Sequence, residues 1–378
     1  MYKIGMIGAG HRVVPLARKL LAANADFQIS AVYDIDNETA AKRMQGIDTV
    51  SYYNDAAEML EKESLDGVIV GTRCSTHTRY ALLVAEKGIP LFLEKPVCTT
   101  EEDCKRLEGI LYHNDKTVVS FPLRTTYMSE TVKSMLDSGI IGEVAHVQAY
   151  NNVNYARGYY HKWYRDENET GGLFLQKATH DFDYINYILG NIRPVKICAM
   201  KSKQVYKGDM PAGQRCHNCP KRDTCPEGPN NINTMNGAND GYEIKDYCCF
   251  AVDTGNEDSG SAIIRYENGM HVVYSQNFIA RRKAGRRGAR FIGFDGTLEF
   301  DFNTGRITVF YHNKDLTEEK YIGSGTGHFG GDDLLMKNFA DVVRGTDVSH
   351  ADLKSGILSA KMCLMARKSS ETDCFYDI

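Results

Sequence analysis

Tryptophan is nearly missing from this chain of 378 residues, where Trp163 stands alone, and only nine prolines occur. Positive charge is not in excess: 45 Lys and Arg face 49 Asp and Glu, for a net charge of −4. A nucleic-acid binder draws its affinity from surplus cations that neutralise phosphates, so that partner class is not expected. No apolar run approaches the roughly 18 residues of a membrane span, so no membrane partner is expected either. The opening stretch Met1–Ile7 lacks the length and cleavage pattern of a signal peptide, which makes a cytoplasmic location the expectation. Internal repeats and low-complexity segments are missing too. What is there, 42% hydrophobic and 25% charged residues, is an ordinary globular mix. At roughly 150 residues per domain, the length suggests two domains.

Cysteine is plentiful. The count of 11 is odd, the chain is large and nothing suggests export, so a disulfide framework is not expected. Six of the 11, at 198, 216, 219, 225, 248 and 249, fall in one stretch, and prolines 211, 220, 226 and 229 share it. A structureless loop of this length is uncommon in a compact domain unless something holds it. The knuckle Cys216-His217-Asn218-Cys219 could supply two thiolates to a tetrahedral structural zinc. Cys225 would be a third ligand and Cys248 a fourth, re-entering a strand through Cys248–Val252. Unligated thiols or a disulfide are the alternatives.

From residue 1 to about 123, short apolar strands alternate with amphipathic helices. Strands are expected at Tyr2–Ile7, Phe27–Tyr33, Gly67–Gly71, Pro90–Leu93 and Val118–Phe121. Helices are expected at Arg12–Ala23, from Asn37, at Thr76–Lys87 and at Thr100–His113. That alternation implies βαβ units and a parallel sheet. Between the first strand and first helix lies Gly8-Ala9-Gly10-His11-Arg12-Val13. Two glycines let the backbone turn tightly and approach a pyrophosphate at the helix N-terminus. Val13 stands where the usual fingerprint has its third glycine. Asp34 closes the second strand, where an acid bonds the adenosine ribose hydroxyls and repels a 2′-phosphate. NAD is therefore favoured over NADP.

With Glu94-Lys95-Pro96 closing the fourth strand, the ordered set of landmarks is specific. They run Gly8-Ala9-Gly10, Asp34, Thr72 to His77, Glu94-Lys95-Pro96, Gly139-Ile140-Ile141-Gly142, Gly171-Gly172 and His180-Asp181-Phe182-Asp183. The chain resembles the glucose–fructose oxidoreductase / inositol dehydrogenase / rhizopine-catabolism (Gfo/Idh/MocA) family of NAD(P)-dependent sugar and polyol dehydrogenases. The resemblance implies an N-terminal Rossmann domain with a doubly wound parallel sheet, residues 1–123. A C-terminal α+β domain with an open, mainly antiparallel sheet would follow at 124–378, with the cysteine-rich insertion at about 205–248. Gly8, Ala9, Gly10, His11, Arg12, Asp34, Thr72, His77, Glu94 and Lys95 become the expected cofactor contacts. Some relatives carry a similar cysteine-bearing loop.

An ammonium at the carboxyl end of a parallel strand, as at Lys95, sits where doubly wound folds bind ligands. In Gly171–Gly190, the spacing of Phe182, Ile185, Ile188 and Leu189 marks a helix's core face. Lys177, His180, Asp181 and Tyr184 follow a second face, and a titratable histidine in such a stripe suits general base chemistry. His180 matches the family's catalytic histidine. Many members carry an aspartate where this chain has Gln176, so its duty passes to Asp181 or Lys177.

Further strands are expected at Ser261–Tyr266, Met270–Asn277, Arg290–Phe294, Thr297–Phe302 and Ile307–His312. The basic run Arg281–Arg290 reads as a solvated loop, or as a surface for an acidic substrate or a partner subunit. Gly325–Asp332 mimics a phosphate loop, but Asp332 and Asp333 would repel phosphate and read better as helix caps. His328 matches relatives with a His near the substrate. Trp163 and Arg165 are candidates to line the pocket. The combined expectation is an NAD-dependent dehydrogenase of a secondary alcohol in a sugar, cyclitol or glycoside, working as a homodimer or homotetramer. The alternatives are an NAD-dependent glycosidase or lyase with transient oxidation, and a non-catalytic NAD-binding sugar sensor.

Overall fold

A computed structural model describes residues 1–47, 50–228, 247–323 and 326–378. Pro229, the stretch 230–246 of the cysteine-rich insertion, and Gly325 lie outside the described residues. The chain forms two compact units, one from residues 1–131, 182–188 and 325–361, the other from 132–181, 189–324 and 362–378.

The first unit holds six strands: β1 (Tyr2–Ile7), β2 (Phe27–Tyr33), β3 (Ser51–Tyr53), β4 (Gly67–Val70), β5 (Leu91–Leu93) and β6 (Thr117–Val119). They run in the order β3-β2-β1-β4-β5-β6, with every pair parallel. Ile4, Met6, Ile7, Val68, Ile69 and Val70 are fully buried, as consecutive apolar residues require in a sheet covered on both faces. Part of that cover is the Gly331–Arg344 helix, whose Phe339 ring meets Phe92 edge-on at 5.7 Å. Sequence periodicity missed β3, which has three residues, mostly exposed, and so carries no readable alternation.

The second unit holds β7 (Val144–Asn152), β8 (Pro194–Ser202), β9 (Ser259–Tyr266), β10 (His271–Asn277), β11 (Arg286–Gly293), β12 (Gly296–Asp301), β13 (Arg306–Tyr311), β14 (Thr317–Tyr321) and β15 (Tyr376–Asp377). Their order is β14-β13-β12-β11-β7-β10-β9-β8-β15. Only β7 and β10 pair in parallel; the other neighbours are antiparallel. Burial alternates residue by residue in β9 and β10, as it does in an antiparallel sheet with one covered face. Among the described residues no helix is long and apolar enough to cross a membrane.

Three expectations need correction. The basic run is not a loop throughout: from Arg286 it is β11, and strand alternation turns Arg287 inward until only 5% of it is exposed. Cys248–Val252 is a turn rather than a strand, with isolated bridges Arg215–Tyr247 and Met210–Ala251 beside it. The zinc site expected from Cys216, Cys219, Cys225 and Cys248 is not supported, since no three His, Cys, Asp or Glu among the described residues are grouped to hold a metal. The described part of the insertion is held by other means. Tyr206 and Cys249 enter a buried cluster with Val153, Ala156, Tyr160, Leu173 and Phe278. Glu227 pairs with Arg281 at 2.7 Å. Burial pushes the Cys248 thiol up from its usual value, and nearby Cys219 and Cys225 push the same way.

In the first unit, Arg124 is buried and grips Asp183 through Nε at 2.9 Å and through Nη2, while Nη1 donates to the His350 carbonyl. Burial pushes the Asp183 carboxyl up to about 6, against the pull of Arg124. Arg124→Ala would leave this acid buried and unpaired, at a cost of about 3–5 kcal/mol in urea denaturation at pH 8. Losing Arg124, which pulls this carboxyl down, raises it further in the variant, so the deficit should shrink as pH falls toward about 6 and Asp183 protonates.

Candidate functional site

At the carboxyl end of β1 the chain turns through Gly8, which has φ +87°. A Cβ on Gly8 would lie 2.8 Å from the Gly71 carbonyl oxygen, so only glycine fits. A Cβ on Gly10 would meet nothing nearer than that oxygen at 3.4 Å, which leaves its outer side clear for a ligand. No side chain caps the Val13–Ala23 helix and its first turn carries no acid, so its positive dipole end faces the glycine turn uncompensated by a local carboxylate, as a pyrophosphate requires. Asp34 at the end of β2 accepts from Ala9 N (2.8 Å) and Asp36 N (3.0 Å), which fixes its carboxylate beside the glycine turn. This donor set fits NAD. The missing third glycine is explained across the sheet. A Cβ on Gly71, just past β4, would lie 2.1 Å from Val13 Cγ1. Close helix–strand approach is kept by removing the side chain from the strand end instead of the helix.

Several expected cofactor contacts also bond within the frame. Arg12 donates to both Asp332 oxygens (2.9 and 2.6 Å) and to Glu94 Oε1 (3.2 Å), and Ser120 Oγ donates to the same Glu94 oxygen at 2.9 Å. Burial works against the Arg12 charge, but Asp332 and Glu94 outweigh it and raise the group above its usual value. Asp332 is therefore an ion-pair partner and not a cap. Burial opposes its charge as well, yet Arg12 and His328 hold its carboxyl well below the usual range. His328 Nδ1 lies 3.2 Å from each Asp332 oxygen, on a backbone of φ +44° that non-glycine residues rarely adopt. Asp333 pairs with Lys19. His77 is buried with Nδ1 2.7 Å from the Pro96 carbonyl and Nε2 3.3 Å from that of Thr72. Burial lowers its pKa, so the neutral ring donates along the shorter contact and fixes the backbone after Lys95. Lys95 itself is half-buried, His11 is exposed, and the Thr72 hydroxyl meets that of Thr76 at 2.7 Å.

The run after Gly171-Gly172 begins as a π-helical stretch, Phe174–Ala178, and continues as the α-helix Thr179–Leu189. Such bulges widen a helix and often mark functional sites. The polar stripe is buried: Gln176, Lys177, His180 and Asp181 are at most 5% exposed. Asp181 accepts from Asn151 Nδ2 (2.9 Å), Tyr274 OH (2.7 Å) and Arg287 Nε (2.6 Å), so three strands converge on one carboxylate. With both oxygens occupied, Asp181 is poorly placed as a base. Lys177 Nζ donates to Tyr155 OH (2.8 Å) and lies 4.4 and 4.9 Å from the Tyr155 and Tyr159 ring centres. Burial lowers its pKa to about 7, helped by the Arg287 charge and opposed by Asp181. Arg165 is taken up by Asp253 (2.6 Å) and Thr254 (2.8 Å), and Trp163 stacks on Tyr164.

Residues 2–121 match an oxidoreductase family with an NAD-binding Rossmann fold, and residues 129–299 match the GFO/IDH/MocA C-terminal domain. The chain belongs to the Gfo/Idh/MocA family of oxidoreductases. It is 26% identical over 358 residues to YteT of Bacillus subtilis, whose name provisionally makes it an oxidoreductase, with 82% of each chain covered. It is 26% identical over 190 residues to inositol 2-dehydrogenase 2 of Saccharopolyspora erythraea, a match spanning 50% of this chain and 53% of that one. A levoglucosan dehydrogenase solved with NADH and levoglucosan is similar with a TM-score of 0.76 at 16% identity, over 100% of this chain and 99% of that one. At that identity the likeness is one of fold.

Sequence reasoning missed Arg43, Arg287, Asn151, Tyr274 and Tyr155. Arg43 ends the Asn37–Arg43 helix and donates to the Ala9 carbonyl at 3.2 Å, which puts a cation beside the turn that Asp34 also touches. Nothing in local spacing signals it. Alternation within β11, counted back from Phe291, could have turned Arg287 inward. The Gly71–Val13 contact is directly testable. Gly71→Ala should cost about 1–3 kcal/mol in urea denaturation and weaken NADH binding in a fluorescence titration. Adding Val13→Ala, which removes the two nearest atoms, should return part of both losses.

Proposed function

We propose that this family member is an NAD-dependent dehydrogenase that oxidises a secondary alcohol of a sugar, cyclitol or glycoside. The observation that carries the reading is that one chain holds both a glycine turn clear for a dinucleotide, in its first unit, and a buried run of polar groups, Lys177, His180 and Asp181, in its second. Bound NAD would supply a hydride acceptor. Lys95 holds and polarises the reacting hydroxyl through its ammonium, which compensates the developing alkoxide. His180 takes the hydroxyl proton. Asp181 orients its helix by anchoring it to Asn151, Tyr274 and Arg287. Glu94 and His77 stiffen the backbone on either side of Lys95.

Lys95→Ala and His180→Ala should each leave the fold and NADH affinity nearly unchanged while lowering kcat by about 10²–10⁴-fold. If both act on one oxygen, the double variant should lose less than the product of the two single losses. A His180→Ala enzyme turning over at wild-type rate across neutral pH would remove His180 as the base. The substrate is found by screening polyols and glycosides for NADH absorbance.

Asp34 beside the adenosine ribose should make NAD bind more tightly than NADP in a calorimetric titration. Asp34→Ser should narrow that gap, since Arg43 would then face the 2′-phosphate without a competing carboxylate. A wild-type chain that prefers NADP would show that Asp34 does not meet the ribose.

A further inference from the structure

The second unit buries an amine that the proposed steps leave without a task. Lys177 is 5% exposed, among Arg287 of β11, Asp181 of its own helical run, and the rings of Tyr155 and Tyr159. A buried lysine usually carries its charge against a carboxylate, but here the nearby carboxylate, Asp181, is already occupied by three other donors. The amine instead donates to a phenol hydroxyl at 2.8 Å. That phenol belongs to Tyr155, which is 43% exposed, whereas Tyr160 of the same segment is almost fully buried. Tyr155 thus joins a buried amine to bulk water.

Oxidation of an alcohol releases one proton for every hydride transferred, and a base as buried as His180, 4% exposed, must pass that proton on before the next turnover. We propose that Lys177 and Tyr155 form the proton outlet of the site, carrying that proton from His180 to solvent. Lys177 lies three residues before His180, about one turn, and receives the proton directly or through one water. The Lys177 N–H bond then breaks as an O–H bond forms at the Tyr155 oxygen, and the phenol's own proton leaves to water. No net charge remains and no redox change occurs at either residue. Near pH 7 the amine is present in both protonation states, which suits a carrier. Its pKa is set from several sides: Arg287 favours the neutral amine, Asp181 the charged one, and the two tyrosine rings stabilise the cation. Tyr155 acts through Lys177 and is a positioning residue. This outlet rests on the dehydrogenase reading above.

The decisive variant is Tyr155→Phe, which keeps the ring over the amine and deletes the hydroxyl. Expected are a fall in kcat of about 10²-fold, unchanged KM and NADH affinity, and partial recovery of kcat with added imidazole as a diffusible proton carrier. Lys177→Met should lose kcat similarly. Without any substrate, competitive acylation of the wild-type chain followed by peptide mass spectrometry should place the Lys177 midpoint near neutral pH, and Arg287→Met should move it upward. A Lys177 midpoint above pH 10 overturns the outlet, as does a Tyr155→Phe enzyme that oxidises alcohol at wild-type rate between pH 6 and 9. A wild-type chain that oxidises no polyol or glycoside overturns the dehydrogenase reading and the outlet together.

Discussion

One buried carboxylate organises the second unit. Asp181 has no exposed surface, and its two oxygens receive three donors from β7, β10 and β11. Burying a charge is tolerable only when it is paired and hydrogen-bonded, and this one is both. Its position on the helix therefore fixes more than its own side chain. The π-helical stretch just before it, the burial of Lys177 and His180, and the inward turn of Arg287 follow from the helix being tied to three strands at this point. A free acid here would be a candidate base. A fully engaged one is a frame on which neighbouring bases can be held still.

The first unit applies the same device with the signs reversed. There the central charge is a cation, Arg12, which follows the glycine turn and is held by Asp332 and Glu94. The Glu94 carboxylate sits one residue before Lys95, and Ser120 Oγ locks it from β6's end. Among the residues that a motif reading assigns to the cofactor, Arg12, Glu94 and His77 are themselves tied to Asp332, Ser120 and the Pro96 carbonyl, which keeps the glycine turn and the Lys95 backbone rigid. Such support matters because misplacing a reacting group by about 1 Å can cost around 10²-fold in rate.

These ties explain what could be read in advance. The parallel sheet was legible because β1, β2 and β4 are short, largely apolar runs separated by helical spacing. The strands β9, β10, β12 and β13 were legible through alternation, whereas β3 is too short and β14 too polar to stand out. The glycine turn, Asp34, Lys95 and His180 were legible because local motifs carry them. The partners were not. Arg12 meets an acid 320 positions away, and Asp181 meets an arginine hidden in a run that looks like a solvated loop. Long-range pairing of charges leaves no local period, so it becomes visible only when the sheets are assembled. The cysteine insertion misled for the opposite reason: a strong local pattern suggested a metal, while the described part of the loop is held by aromatic burial and by Arg281 with Glu227.

The same charge arithmetic accounts for Gln176 where many relatives have an acid. Gln176 and Lys177 are consecutive and both buried, and the local ions are Asp181 and Arg287, already paired with each other at 2.6 Å. A further carboxylate at 176 would put a second buried negative charge on the same helical run, and that charge would need a cation of its own. An amide at 176 fills a similar volume and offers hydrogen bonds without a net charge. The run from Phe174 to Asp181 is thereby left with one carboxylate to balance, and Arg287 balances it. With that cation committed to Asp181, burial and the Arg287 charge bring the Lys177 amine down toward pH 7.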